Sequence, residues 1–132
     1  MPAYDGIRFT PPAPVARVVL RTADGSAQVV DVPMLLDTGA DVSLVPRSAV
    51  EGLGLAEDAP GGFELVGFDG TSSRASAVDL ELRLAERSFR GRFLLLDQEW
   101  GILGRNVLNH LRIVYDGPRL VWELPGWGGR AP

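Results

Sequence analysis

Leu35-Leu36-Asp37-Thr38-Gly39-Ala40-Asp41 is the stretch on which the reading of this 132-residue chain turns. A continuous apolar run, Val32-Pro33-Met34-Leu35-Leu36, ends abruptly at a carboxylate, followed by a hydroxyl and a glycine. Such a run is patterned as a strand entering a core. Asp37 is therefore expected at the bottom of the fold, desolvated and held in a fixed direction. Thr38 can hydrogen-bond to a neighbouring backbone, and Gly39 lets another chain or a substrate approach the main chain closely. An Asp-Thr-Gly triplet arises by chance in roughly 2–3% of chains this long, usually as an exposed turn, so it needs support from elsewhere in the sequence.

The flanking sequence reads as β-structure. Ala16, Val18 and Leu20 alternate against Arg17, Val19 and Arg21, and Ala23-Asp24-Gly25-Ser26 turns this strand into a second over residues 28–36. Pro46 opens a short helix that ends near Leu53. Further strands are expected at residues 63–66, 76–85 and 89–96, with a short buried one at Ile102-Leu103 and a helical turn or two over 105–111. Between the first two lies Gly67-Phe68-Asp69-Gly70-Thr71-Ser72-Ser73, bracketed by glycines as a mobile hairpin tip would be. A last hairpin, residues 113–115 and 120–124, turns at Asp116-Gly117-Pro118. Many short strands, closely spaced turns and little helix predict a mainly β protein, a small closed barrel with one short C-terminal helix. Residues 1–14 are Pro-rich and read as an arm outside the core, 15–124 as the domain, and 125–132 as a Gly-rich tail.

Composition narrows the chemistry. Hydrophobic residues make up 45% and charged residues 23%, as in an ordinary globular domain. With no Cys and one His, the chain has no thiol nucleophile, no disulfide and no multi-His zinc site. The net charge is −4 and the thirteen basic residues, all Arg, are scattered, so nucleic acid is not an expected partner. No apolar run approaches membrane-spanning length and the start lacks a secretory pattern, which predicts a cytoplasmic location and no membrane partner. Asp79 and Glu81, with Asp97 and Glu99, read as solvated strand acids rather than a Ca²⁺ site, and His110 as an exposed side chain. Trp100 and Trp122 fall where core or dimer contacts are expected.

A second glycine-containing segment, Trp100-Gly101-Ile102-Leu103-Gly104-Arg105-Asn106, follows the Asp-Thr-Gly loop, with the Gly67–Gly70 hairpin between them. Asp-Thr-Gly after an apolar strand, a hairpin tip, then Ile-Leu-Gly-Arg-Asn before an apolar helix resembles the retropepsins, the single-domain aspartic proteases, over about residues 15–124. The resemblance implies an acid-protease barrel and an aspartic endopeptidase without metal or organic cofactor, acting on peptide or protein substrates. It assigns the catalytic loop to Asp37, Thr38 and Gly39, and substrate contacts to Ala40 and Asp41, with Gly39 also against the substrate backbone. Gly67, Phe68, Asp69 and Gly70 would form a flap. Ile102, Leu103, Gly104, Arg105 and Asn106 would support the loop, with Arg105 paired to Asp41 and Thr38 bonding between two active-site loops. Two carboxylates about 3 Å apart cannot both ionise, so one acts as general base and the other as acid. The chain contains one Asp-Thr-Gly, so the resemblance implies a C2 homodimer with one Asp37 from each subunit. Residues 121–124 are the expected interface strand. Two other readings stay open on the sequence: a retropepsin-like module that binds peptides or dimerises without turnover, and an unrelated barrel in which Asp37 is an exposed turn residue.

Overall fold

A computed structural model describes residues 2–55, 63–66 and 72–126. Its elements follow in chain order: β1 (Tyr4–Asp5), β2 (Ala13–Arg21), β3 (Gln28–Leu36), β4 (Leu44–Pro46), α1 (Arg47–Glu51), β5 (Phe63–Val66) and β6 (Ser72–Ala75). Then come β7 (Ala77–Leu84), β8 (Arg87–Leu96), β9 (Gly101–Leu103), α2 (Arg105–Leu108), β10 (Val114–Asp116) and β11 (Val121–Glu123). Strands β2-β3-β9-β4-β8-β7 are joined in that order and β7 pairs back to β2, which closes a six-stranded barrel with β1 added outside.

Alternation builds the barrel interior. Ala16, Val18 and Leu20 from β2, Val32, Met34 and Leu36 from β3, Leu80, Leu82 and Leu84 from β7, and Phe93 and Leu95 from β8 meet in one buried cluster. Fully burying each of the larger side chains is worth about 1.5–3 kcal/mol. Trp122 from β11 is also fully buried there, with its indole N–H donating to the Val15 carbonyl at 3.2 Å.

Strand order matters for the site. β9 lies between β3 and β4, parallel to the first and antiparallel to the second, although it comes much later in sequence. Residues 37–43 must therefore pass over the end of β9 to connect β3 with β4.

Four expectations need correction. Residues 1–14 were expected to form an arm outside the core, yet β1 pairs with β2 (Tyr4 with Pro14, Asp5 with Ala13) and Tyr4 packs against the core cluster. Ala3 bridges to Val121, Tyr4 N–H donates to Leu120 O at 2.8 Å, and Trp122 N–H donates to Pro2 O at 3.0 Å. β11 thus has β10 on one edge and the N-terminal residues of its own chain on the other, so the expected interface strand has no free edge. Glu81, expected in solvent, is 3% exposed, because β2 pairs with β7 to close the barrel, with Arg21 directly opposite, and an ion pair of 2.8 Å forms there. Finally, residues 72–73, expected in a loop, belong to β6, which pairs with β5 from Phe63–Ala75 to Val66–Ser72. The two form a hairpin whose connection, 67–71, lies outside the described residues.

Candidate active site

The end of β3 delivers Asp37. Leu36 is buried opposite Leu103 of β9, and Asp37 N–H extends this parallel ladder by donating to Leu103 O at 3.0 Å. The chain then turns away: Gly39 N–H donates to Asp37 Oδ1 at 2.9 Å, and Ala40 N–H to Asp37 O at 3.2 Å. The first bond fixes the direction of the carboxylate from its own loop. Oδ2 has no hydrogen-bond partner among the described residues.

The Gly104-Arg105-Asn106 segment clamps this loop from below. Arg105 N–H donates to Ala40 O at 2.8 Å, and its guanidinium Nη1 donates to Thr38 O at 2.7 Å. The expected ion pair between Arg105 and Asp41 is therefore replaced by a bond to main chain; a guanidinium needs only an acceptor, and the turn aims the Thr38 carbonyl at it. Asp41 is exposed. Gly104 is required by the crossing: a Cβ there would collide with the Val42 carbonyl as residues 40–42 pass over the end of β9. Leu103 beneath is fully buried, and Ile102 pairs with Leu35 on one side and Leu44 on the other.

Ser43 holds the clamp together and was not singled out from sequence. It is 1% exposed; its hydroxyl accepts from Gly104 N–H at 2.9 Å and donates to Asn106 Oδ1 at 2.7 Å. A lone hydroxyl within Val42-Ser43-Leu44-Val45 was the available signal, because a buried polar atom must find partners.

The structure brings Asp37, Thr38, Gly39, Ala40 and Asp41 onto one loop against Gly104, Arg105 and Asn106. Gly67, Phe68, Asp69 and Gly70 lie outside the described residues. Burial differs from expectation, since Asp37 and Ala40 are half-buried while Thr38, Gly39 and Asp41 are exposed. The loop sits at the surface of a single chain.

The retroviral aspartyl protease family model matches residues 12–114, which span the barrel, the Asp37 loop and the Gly104–Asn106 clamp. The chain belongs to the retroviral aspartyl protease family. Among solved structures, this retropepsin-like chain is similar to EIAV protease in complex with the inhibitor HBY-793. The TM-score is 0.56 at 21% identity, covering 80% of this chain and 91% of that one. No curated protein matches the chain. What the family and the likeness share with the geometry is the retropepsin-like barrel.

Proposed function

We propose that the protein is an aspartic endopeptidase that works as a homodimer, with Asp37 of each subunit forming the catalytic pair. The observation that carries this reading is the Asp37 loop itself: one carboxylate, oriented by Gly39 N–H and clamped by Gly104 and Arg105, on a surface that leaves it half-exposed. One carboxylate cannot both activate water and protonate a leaving group. A second copy brought face to face supplies the other and removes both from bulk water, so that the two share a proton across the symmetry axis. One then takes a proton from the attacking water while the other hydrogen-bonds the scissile carbonyl. Thr38, exposed in the single chain, bonds across to the partner loop. Gly39, Ala40 and Asp41 line the path of the extended peptide, and the β5–β6 hairpin with Gly67–Gly70 serves as its cover.

The second copy docks at β10. β11 has both edges filled within its own chain, whereas β10 pairs only with β11 among the described residues, and its Val114 and Tyr115 are 42% and 43% exposed. An antiparallel β10–β10 pairing about a two-fold axis joins two such three-stranded units. A contact of this length is small, so the Asp37 loops share the same axis and the same interface.

Mass-spectrometric detection of cuts in a diverse peptide mixture, with Asp37→Asn as control, tests the reading. Cuts made only by the unmodified protein are expected. Folded, dimeric protein that makes no Asp37-dependent cut would assign the fold to peptide binding without turnover.

A further inference from the structure

A cavity of about 710 Å³ lies away from the Asp37 loop, between β8 and α2. Its lining includes residues 87–93 without a gap, together with Asn106, Val107 and His110. One face of a strand would contribute every second residue, so an unbroken run of seven means that the cavity follows the strand's edge. That edge is open. β7 takes the other side of β8 from Arg87 to Leu94, while β4 pairs with it only at Leu94–Leu96. Among the described residues no strand covers the stretch before Leu94, which runs for about 23 Å. Near its middle, a Cβ built on Gly91 would meet nothing within 4 Å, so the face of the strand is open there as well.

The charge of this trough runs against that of the chain. The protein carries −4 overall, yet the stretch Arg87-Ser88-Phe89-Arg90-Gly91-Arg92-Phe93 holds three arginines and no acid, and no carboxylate lines the cavity. Three carboxylates border the strand without lining the cavity: Glu81, opposite Arg90 in the β7–β8 ladder, is buried and paired with Arg21; Asp79 pairs with Arg92 at 3.2 Å; and Glu86 precedes Arg87. Arg87 caps one end, with its guanidinium on the His110 carbonyl at 2.8 Å. Open strand edges invite another strand, and charged side chains decide which one. These arginines repel a basic segment and attract an acidic one.

We infer that the open edge of β8 binds an acidic, extended protein segment as an added strand, with main-chain bonds to residues 87–93 and carboxylates toward Arg90 and its neighbours. The site is separate from the proposed catalytic loop and does not depend on turnover.

The test uses full-length Asp37→Asn protein and a fluorescein-labelled peptide, alternating Glu and Thr and long enough to run the whole edge, followed by fluorescence anisotropy. The Glu/Thr peptide should bind in a salt-sensitive way, with the Gln/Thr counterpart weaker on the order of tenfold. Arg90→Glu should abolish the preference, and Arg90→Gln, which places no new charge beside Glu81, should reduce it. Amide exchange should slow at residues 87–93. Equal binding of the two peptides, indifference to both Arg90 variants, or protection confined to the Asp37 loop would overturn the inference. So would tighter binding of a single-stranded oligonucleotide of equal charge, which would reassign the trough to nucleic acid. Because no cleavage is read, failure here leaves the protease reading standing, and a failed cleavage assay leaves this result standing.

Discussion

Replacing Ser43 with Ala tests the seat of the Asp37 loop. The hydroxyl makes two hydrogen bonds of unequal worth. Asn106 is exposed, so its side-chain oxygen recovers a bond from water and the loss at that end is about 0.5–1 kcal/mol. Gly104 is buried under residues 40–42 and its N–H has nowhere else to donate, which costs about 1–3 kcal/mol. The sum is about 1.5–4 kcal/mol, with Asn106→Ala costing no more than about 1 kcal/mol because Ser43 Oγ keeps the Gly104 N–H and water takes the place of the exposed Asn106 side chain as acceptor for the hydroxyl. Urea unfolding followed by tryptophan fluorescence reads this directly, since Trp122 is fully buried in the core that Ser43 adjoins through β4. With a slope near 1.5 kcal/mol per molar urea, the midpoint should fall by roughly 1–2.7 M for Ser43→Ala and by less than about 0.7 M for Asn106→Ala. Protein concentration must be held constant, because the proposed dimerisation would add to apparent stability. If both variants lose the same amount, or Ser43→Ala loses almost nothing, the buried N–H is not the reason for the serine and the clamp is misread.

Tyr115→Cys reports on the interface, since the chain has no cysteine of its own and any disulfide must join two copies. Opposed Cα atoms in an antiparallel pair lie about 4.5–5.5 Å apart, within disulfide reach, so non-reducing electrophoresis should show a crosslinked dimer, whereas Val30→Cys on exposed β3 should not. A dimer that never crosslinks through Val114, Tyr115 or Asp116 moves the interface off β10. Glu81 is held below the usual carboxylate range first by the Ser88 hydroxyl, with Arg21, Arg90 and Arg83 adding to it against the cost of burial. A carboxyl so lowered stabilises the fold fully above its unfolded value of 4.5, and that contribution disappears as pH falls through its folded value. Thermal unfolding should therefore drop on acidification below about pH 4.5, and Glu81→Gln, less stable at neutral pH, should show a shallower drop; parallel curves would remove Glu81 from the acid response. Ala85 has a φ of 55° in the turn between β7 and β8, so Ala85→Gly should gain up to about 1 kcal/mol, seen as a melting temperature higher by about 3–5 °C, and a loss would mean that the turn is not strained.

The barrel strands were legible where side chains alternate. Over residues 28–36 the expected strand coincides with β3, and 63–66 coincides with β5. β6 was not, because Ser72-Ser73-Arg74-Ala75 carries no apolar alternation and is a strand only through its pairing with β5. The N-terminal pairing escaped for a similar reason: Pro2 O and Tyr4 N–H hold β11 by main chain, and composition does not report main-chain partners. At the site, Asp37 and Gly104 could be found because their surroundings are written in neighbouring residues. Arg105 could not be paired correctly, since charge in a sequence points to a carboxylate and the true acceptor is the Thr38 carbonyl. Glu81 was misjudged because alternation along β7 says which face a residue takes but not which side chain the paired strand β2 sets beside it, here Arg21.

The stitch between Pro2–Tyr4 and Leu120–Trp122 also orders events in time. Those contacts join segments near opposite ends of the chain, and a loop of that span closes late, after local hairpins have formed. On the ribosome, β11 reaches the N-terminal residues only once Trp122 has been synthesised and has cleared the exit tunnel. On the dimer reading proposed above, the corner offered to a second copy is complete only after β11 has docked against the N-terminal residues, so pairing of the two Asp37 loops waits for that closure.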